Sequence, residues 1–262
     1  MNAVNLCKPR NRFAVFLACV ALLAWQSGTA AAAEIKVLTA GAFKPVVLAV
    51  VPDFEKQTGH KVTVDNDTVG GLAKRIAGGE AFDLAIVSPA ALETLAASGK
   101  VVRGTVQRLA KVGVGVAVKR GAPLPDIASV NAFRDALVNA RAVAYIDPAA
   151  GGSSGIYFSQ LLDKMGIADK VKPKAVLVPG GLVALKLVSG EADLAVHQVS
   201  EILAVPGAVL VGPIPAEVQN FTVYAGGVAA SARDDAAARA LLAAFLSPAT
   251  QALLKQKGMD AP

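Results

Sequence analysis

The sequence predicts an α/β fold in which helices cover both faces of mixed, mostly parallel sheets. Short runs rich in β-branched residues alternate along the chain with Ala- and Leu-rich helical stretches. This order is typical of strands joined by crossover helices. The runs are nearly continuous in apolar residues, as in strands buried on both faces. Several helical stretches end at glycine, a common helix stop.

Nine short apolar runs are predicted to be strands. They are Ile35–Thr39, Lys61–Asp65, Asp83–Val87, Val112–Val118, Ala142–Ile146, Ala175–Val178, Leu194–Val196, Val209–Val211 and Thr222–Tyr224. Glycines interrupt the fourth run, and the last run continues into Gly226 and Gly227. Glycine weakens a strand and lets it bend, so these two segments are candidates for connections between two lobes. A bulge or close packing would explain the glycines equally well.

The helical stretches carry recognisable end signals. Asp234 and Asp235 precede one helix, where acidic residues interact favourably with the helix dipole. Ser247 and Pro248 supply an N-cap and a first helical residue for the next. The predicted helices are Val46–Gln57, Leu72–Ala77, Pro89–Ala97, Asn131–Asn139, Gly155–Met165, Leu182–Ser189, Ala236–Leu246 and one that starts at Pro248.

Residues 1–33 have the pattern of a secretory signal peptide. Lys8, Arg10 and Arg12 form a positive region, and the apolar run Phe13–Trp25 follows. This run is shorter than the roughly 20 residues that span a bilayer as a helix. A membrane anchor is therefore the weaker alternative. We expect export to the periplasm, with cleavage near Ala33.

Loss of this segment changes both charge and thiol content. The chain has 26 basic and 20 acidic residues and two cysteines, but residues 34–262 keep 23 basic residues, all the acidic ones and no cysteine. The remaining excess is too small to indicate a nucleic-acid partner. Without thiols, the exported chain has no disulfide, cysteine nucleophile or cysteine-ligated metal. With only two histidines and no H-x-x-x-H pair, we expect no metal site and no cofactor.

Turns rich in small residues follow several predicted strands. Ligands of α/β sheets bind at such turns, against helix N-termini. Together the turns predict a site for a small anion held by backbone N–H groups and neutral hydroxyls. The predicted ligand-binding residues are Ala40, Gly41, Ala42, Lys44, Thr68, Val69, Gly70, Ser88, Ser153, Ser154, His197 and Gln198.

Several of these residues have a second interpretation. Lys44 is either an anion contact or a solvated lysine. Ser153 and Ser154 are ligand hydroxyls or helix caps, and His197 is a ligand contact, a proton carrier or a structural histidine. Tyr224 is interpreted as a core residue. The P-loop and the G-x-S-x-G elbow are absent from the sequence, so neither motif points to nucleotide or serine hydrolase chemistry.

Five motifs, in order, resemble those of a known family. They are Ile35–Ala42 (IKVLTAGA), Phe54–Gly59 (FEKQTG), Asp83–Ser88 (DLAIVS), Gly190–Ala195 (GEADLA) and Phe245–Pro248 with Gln251, Leu254 and Gly258. The chain resembles the type II periplasmic solute-binding proteins of the molybdate-binding kind. The resemblance implies a two-lobed periplasmic-binding-protein type II fold with a ligand cleft between the lobes. Residues 34–112 and 228–262 would form lobe one, and residues 113–227 lobe two.

The hydroxyl pattern of the family's site is changed here. The family usually has a serine in the first turn, where this chain has Ala42 or Phe43, and often a serine pair where this chain has Thr68 and Val69. The resemblance therefore implies a small anion and leaves its kind open. It could be an oxyanion such as molybdate or tungstate, or a carboxylate.

The second half of the chain resembles a side branch of the same family, the aconitate isomerases. The segments concerned are Ser154–Ser159, His197–Ile202, Val205–Gly207 and Val211–Pro215. These enzymes interconvert cis- and trans-aconitate by moving a proton and a double bond within the molecule. If the chain is such an enzyme, His197 is the candidate catalytic base and Lys44 the candidate carboxylate partner.

Two functional hypotheses follow. The favoured one is a monomeric periplasmic binding protein that presents a small anion to an ABC permease in the inner membrane. The alternative is an aconitate isomerase on the same scaffold. A metal-ion or redox protein is disfavoured by the missing cysteines and scarce histidines. One fold can serve both of the first two functions, so fold alone does not decide between them.

Overall fold

The computed structural model describes residues 32–262, and this part of the chain contains nine strands and ten α-helices. Apart from its last two residues, the predicted signal peptide lies outside these residues. All nine predicted strands are present, several of them longer than predicted. The strands are β1 Glu34–Ala40, β2 Lys61–Asp67, β3 Leu84–Val87, β4 Gln107–Lys119, β5 Val143–Ile146, β6 Ala175–Val178, β7 Leu194–Gln198, β8 Ala208–Pro213 and β9 Phe221–Val228.

The helices lie close to their predicted ranges, with one correction and two additions. They are α1 Lys44–Thr58, α2 Val69–Ala77, α3 Pro89–Ala97, α4 Val130–Asn139, α5 Ser153–Lys164, α6 Ala168–Val171, α7 Leu185–Val188, α8 Val199–Leu203, α9 Asp235–Leu246 and α10 Pro248–Gln256. The helix predicted over Leu182–Ser189 is only α7. Its first turn is held by i to i+3 bonds, from the Leu185 N–H to Leu182 and from the Lys186 N–H to Val183, so it is not α-helical. The short helices α6 and α8 were not predicted.

The sheet is mixed, as the sequence predicts, but it is not mostly parallel: four strand pairs are parallel and four are antiparallel. The strand order is β2-β1-β3-β9-β4-β7-β5-β6, and β8 also pairs with β4. β1 is parallel to β2 and β3, and β5 is parallel to β6 and β7. Every antiparallel pair contains β4 or β9. These are the two glycine-interrupted segments singled out in the sequence.

Helices cover both faces of the sheet. The first half of the sheet contains β1, β2, β3 and β9, the second half contains β5, β6, β7 and β8, and β4 belongs to both. In the first half, Leu84 and Ile86 of β3 pack toward α1 and α9, while Ala85 and Val87 pack toward α2 and α3. In the second half, one core joins β4, β5 and β7 to α4 and α5, and another joins their other face to α7 and α8. Alternate residues of one strand thus serve opposite cores, because successive side chains of a strand point to opposite faces.

β4 runs through both halves of the sheet. Its residues 107–113 pair with β9, and its residues 114–119 pair with β7 and β8. Residues 33–262 form one compact unit. The division of the chain into two lobes at residues 112–113 and 227–228 stays a prediction.

The two C-terminal helices begin as the sequence indicates. The Asp234 side chain accepts a hydrogen bond from the Ala237 N–H at the start of α9, and Ser247 does the same for Thr250 at the start of α10. No single helix of residues 32–262 has the length and hydropathy to cross a membrane. The bent pair α9 and α10, at 57°, meets those criteria only when taken together. The buried face of α9, including Phe245, belongs to a core of the first half.

Candidate functional site

A small cavity of about 30 Å³ lies where β1, β2, β5 and β7 end. Its volume has room for about one or two water molecules. Nine of the twelve predicted ligand-binding residues line this small cavity. They are Ala40, Gly41, Ala42, Thr68, Val69, Ser153, Ser154, His197 and Gln198. Residues that are far apart in the chain meet here because the carboxyl ends of parallel strands lie at the same edge of a sheet.

The N-terminus of α5 faces the small cavity. Its N-cap, Gly152, has no side chain to accept a bond from the first turn, so the N–H groups of the first turn remain available to an anion. Gly155 lets this helix approach β5. A Cβ at that position would lie 2.2 Å from the Ile146 carbonyl oxygen. Glycine is therefore required for the helix start to reach the edge of the sheet.

His197 and Glu201 form a buried pair in the wall of the small cavity. The imidazole Nδ1 lies 3.0 Å from Ser154 Oγ, and Nε2 lies 3.1 Å from Glu201 Oε2. The second contact is short, but it lacks hydrogen-bond alignment. Among residues 32–262, Nε2 has no hydrogen-bond partner. The side chains of His197 and Glu201 are 3% and 7% exposed. Both groups can exchange a proton, and both are shielded from bulk water.

Tyr224 and Gln198 add a second polar cluster to this wall. The Gln198 amide Nε2 lies 3.0 Å from Thr222 Oγ1 and 3.3 Å from the Tyr224 hydroxyl. Burial raises the pKa of Tyr224, and the nearby Glu201 carboxylate raises it further, against a smaller opposing effect of Ser153. The phenol therefore stays a hydrogen-bond donor at neutral pH. Gln198 Oε1 is buried without a partner in the described part of the chain.

Two glycines bring the walls of the small cavity into contact. The Gly70 N–H donates to the Gly151 carbonyl at 3.1 Å, and the Thr68 hydroxyl donates to the Ala150 carbonyl. A Cβ on Gly70 would lie 2.9 Å from the Gly151 Cα. The start of α2 and the turn before α5 are thus closed against each other. This contact limits the volume of the small cavity.

A large cavity of about 670 Å³ adjoins the small one. The two cavities share Gly41, Asn66, Gly181 and Glu201 in their walls. Lys44 lines the large cavity, and its ammonium donates to Asn66 Oδ1 at 2.6 Å. Lys44 therefore lies beside the small cavity and not among its lining residues.

The remaining two predicted residues have other positions. Gly70 takes part in the closing contact just described. Ser88 is the N-cap of α3, where its hydroxyl accepts a bond from the Ala91 N–H, and it is absent from the linings of both cavities. The structure thus gives Ser88 a capping role, since the first turn of a helix leaves N–H groups without partners.

Glu201 and Tyr224 were missed as site residues in the sequence. Glu201 stands four residues after His197, a spacing that brings two side chains together on a helix. Here the spacing works across the junction of β7 and α8. Tyr224 is buried, as predicted, but it also lines the small cavity. Among residues 32–262, no group of three or more His, Cys, Asp or Glu side chains could hold a metal ion.

Comparisons with known proteins show the family of the chain. Residues 35–260 match the family of bacterial extracellular solute-binding proteins. An aconitate isomerase from Pseudomonas sp. is 34% identical over 252 residues, which cover 94% of this chain and 93% of that protein.

Two solved structures share the fold at lower sequence identity. The periplasmic molybdate-binding protein of Azotobacter vinelandii matches 87% of this chain and 100% of its own, with a TM-score of 0.74 and 23% identity. The sulfate-binding protein SubI of Mycobacterium tuberculosis matches 87% of each chain, with a TM-score of 0.68 and 18% identity.

Proposed function

Because the chain belongs to the family of bacterial extracellular solute-binding proteins, we propose that it uses a solute-binding scaffold to isomerise a small polycarboxylate. Cis- and trans-aconitate are the proposed substrates. The proposal is supported by the aconitate isomerase that is 34% identical over nearly the whole chain.

The observation that carries the proposal is the buried contact between His197 and Glu201. A carboxylate in the wall repels an oxyanion and a polycarboxylate alike, so its presence calls for a role other than binding. A proton shift needs a base within reach of the substrate. The structure thus favours the enzyme over the transport receptor that the sequence favours.

The reaction exchanges the positions of a proton and a double bond. A base removes a proton from the methylene carbon, and the electron pair of that C–H bond forms a double bond to the central carbon. The electrons of the old double bond then take up a proton at the opposite carbon. One proton leaves and one returns, so no co-reactant is consumed.

We assign the proton transfer to Glu201, which borders both cavities. Its carboxylate takes the proton and returns it. The His197 Nε2 lies 3.1 Å from the same carboxylate, while Ser154 holds the imidazole from the other side. Negative charge that develops on the substrate carboxylate is stabilised by the N–H groups at the start of α5.

A transport receptor is the second candidate function. It is supported by the fold shared with molybdate- and sulfate-binding proteins and by the closed contact between Gly70 and Gly151. In this role, two lobes, residues 34–112 with 228–262 and residues 113–227, would close on an anion and deliver it to an ABC permease. In either role we propose a monomer in the periplasm, released from a signal peptide near Ala33.

Turnover of cis-aconitate by the chain 34–262, followed by proton NMR, tests the proposal. We expect the wild-type protein to form trans-aconitate. In D₂O, deuterium should enter the product only to the extent that the proton held by Glu201 exchanges with solvent before it returns. Glu201→Gln keeps the size of the side chain and removes the base, so kcat should fall about 10²–10⁴-fold.

Glu191→Gln is the matched control for Glu201→Gln, because Glu191 is exposed. It should keep wild-type turnover. A wild-type protein that is stabilised by molybdate or sulfate but neither converts cis-aconitate nor exchanges its protons would be a receptor, and the isomerase proposal would be wrong.

A further inference from the structure

Two lysines line the large cavity together with Glu201. They are Lys44, at the start of α1, and Lys257, just after α10. Neither ammonium forms an ion pair with another group of residues 32–262. Both side chains are half-buried. Two cations that form no ion pair, with the single carboxylate of Glu201 in the same lining, attract an anion with more than one negative group.

The sizes of the two cavities separate what each can hold. A tricarboxylate of about a dozen non-hydrogen atoms needs a pocket on the order of hundreds of Å³. The small cavity offers about 30 Å³, and the large one about 670 Å³. In this structure most of such a ligand must therefore lie in the large cavity, with only one end near Ser154 and His197.

Glu201 stands between the two spaces. It lines both cavities, together with Gly41, whose missing side chain leaves room for the carboxylate. A Cβ on Gly41 would lie 2.5 Å from Glu201 Oε1. A ligand that spans both spaces thus passes the carboxylate to which proton transfer is assigned.

We propose that the large cavity is the subsite for the remote carboxylates of a tricarboxylate, with Lys257 and Lys44 as their counter-charges. This inference rests on the proposed function, since it extends the same site. Lys257 sets the affinity for the third carboxylate and leaves the chemical step to Glu201. Leu48 and Leu203, each about half exposed, border the cavity beside the carbon skeleton of the ligand.

Calorimetric titration with propane-1,2,3-tricarboxylate tests the subsite without any turnover, because this saturated compound cannot isomerise. We expect Lys257→Gln to weaken its binding about tenfold or more, with Lys257→Arg restoring most of the affinity. Lys255→Gln, which removes an exposed lysine two residues away, should bind like the wild type. Succinate, with one carboxylate fewer, should lose much less affinity in Lys257→Gln.

Kinetics with cis-aconitate separate this inference from the proposed function. Lys257→Gln should raise KM about tenfold and change kcat less than about twofold. If the wild type turns over and Lys257→Gln leaves KM and the titration unchanged, the subsite is refuted and the isomerase stands. If the titration depends on Lys257 but the wild type has no turnover, the subsite stands and the isomerase is refuted. If the wild type neither binds the tricarboxylate nor turns over cis-aconitate, both are refuted.

Discussion

Asp83 ties β1 to the segment before α9. One carboxylate oxygen accepts bonds from the Lys36 N–H at 2.7 Å and the Arg233 guanidinium at 2.9 Å, and the other accepts from the Arg233 N–H at 2.8 Å. Burial disfavours the charge of this carboxylate. The bonds from Arg233 and Lys36 more than offset that effect, so the pKa of Asp83 is lower than usual. The ionised form is therefore the one that stabilises the fold.

We expect Asp83→Asn to lower the free energy of unfolding by about 1–3 kcal/mol at neutral pH, since a charged acceptor of several bonds is lost. The folded pKa lies below the unfolded one. Hence the contribution is complete above the ordinary aspartate pKa, near 4, and is lost as the pH falls through the lower folded value. Urea unfolding between about pH 2.5 and 6 measures this.

Asp53→Asn is the control for that experiment, because Asp53 is exposed on α1 and forms no side-chain hydrogen bond or ion pair within the described residues. Its stability should follow the wild type at every pH. If Asp83→Asn and the wild type lose stability in parallel at low pH, Asp83 is not a source of the acid sensitivity.

At the scale of elements, the start of α2 and the turn before α5 act as one closing contact. α2 is capped by the Thr68 hydroxyl, which accepts from the Gly71 N–H and also donates to the Ala150 carbonyl. Gly151 has a φ of +75°, a conformation that favours glycine. Because Gly70 has an ordinary helical backbone, a substitution there tests the contact itself with little effect on the helix.

Gly70→Ala should weaken binding of propane-1,2,3-tricarboxylate about tenfold, which corresponds to about 1.4 kcal/mol. The added methyl group meets the Gly151 backbone and holds the two segments apart, while alanine is well accepted in a helix. Calorimetric titration measures the affinity, and the melting temperature checks the fold.

Gly104→Ala is the matched control, since no atom lies within 4 Å of the Cβ that it would add. It should bind like the wild type. Equal affinity in Gly70→Ala and Gly104→Ala would mean that closure at Gly70 contributes nothing to binding.

The elements were more predictable than the site. Buried strands such as β3 and β5 could be found because β-branched apolar runs reflect burial. β2 could be found by its β-branched residues although none of its residues is buried. Strand ends with small residues marked where Ser154 and His197 meet. Glu201 could not be found in this way, because α8 has five residues and no periodic pattern of its own. Ser88 was assigned to the site because a serine after a strand can either cap a helix or bind a ligand. Only the packing decides which of the two it does.

At the scale of the whole molecule, β4 joins the cores. Leu109 and Val112 belong to a core of the first half, and Val114, Val116 and Val118 belong to one of the second half. A strand that forms hydrogen bonds with β9, β7 and β8 cannot leave one core without disturbing the others. The halves should therefore lose their structure together.

Differential scanning calorimetry should show one cooperative transition for residues 34–262. Leu109→Ala and Leu162→Ala, each in a fully buried position of a different half, should lower that same transition. Each removes about 2–5 kcal/mol of stability, or about 2–4 °C per kcal/mol for a chain of this size. Two transitions, with each variant lowering only one of them, would mean that the halves unfold independently.

The position of the Tyr224 hydroxyl in the cavity wall has an optical consequence. The chain has three tyrosines and one tryptophan, and that tryptophan is Trp25, within the predicted signal peptide. The emission of residues 34–262 therefore comes from Tyr145, Tyr157 and Tyr224, with no indole to mask it. Tyr145 lies in a core, and the Tyr157 hydroxyl donates to the Val218 carbonyl. A molecule that enters the small cavity thus changes the surroundings of one fluorophore in three, and the unlabelled protein reports its own occupancy.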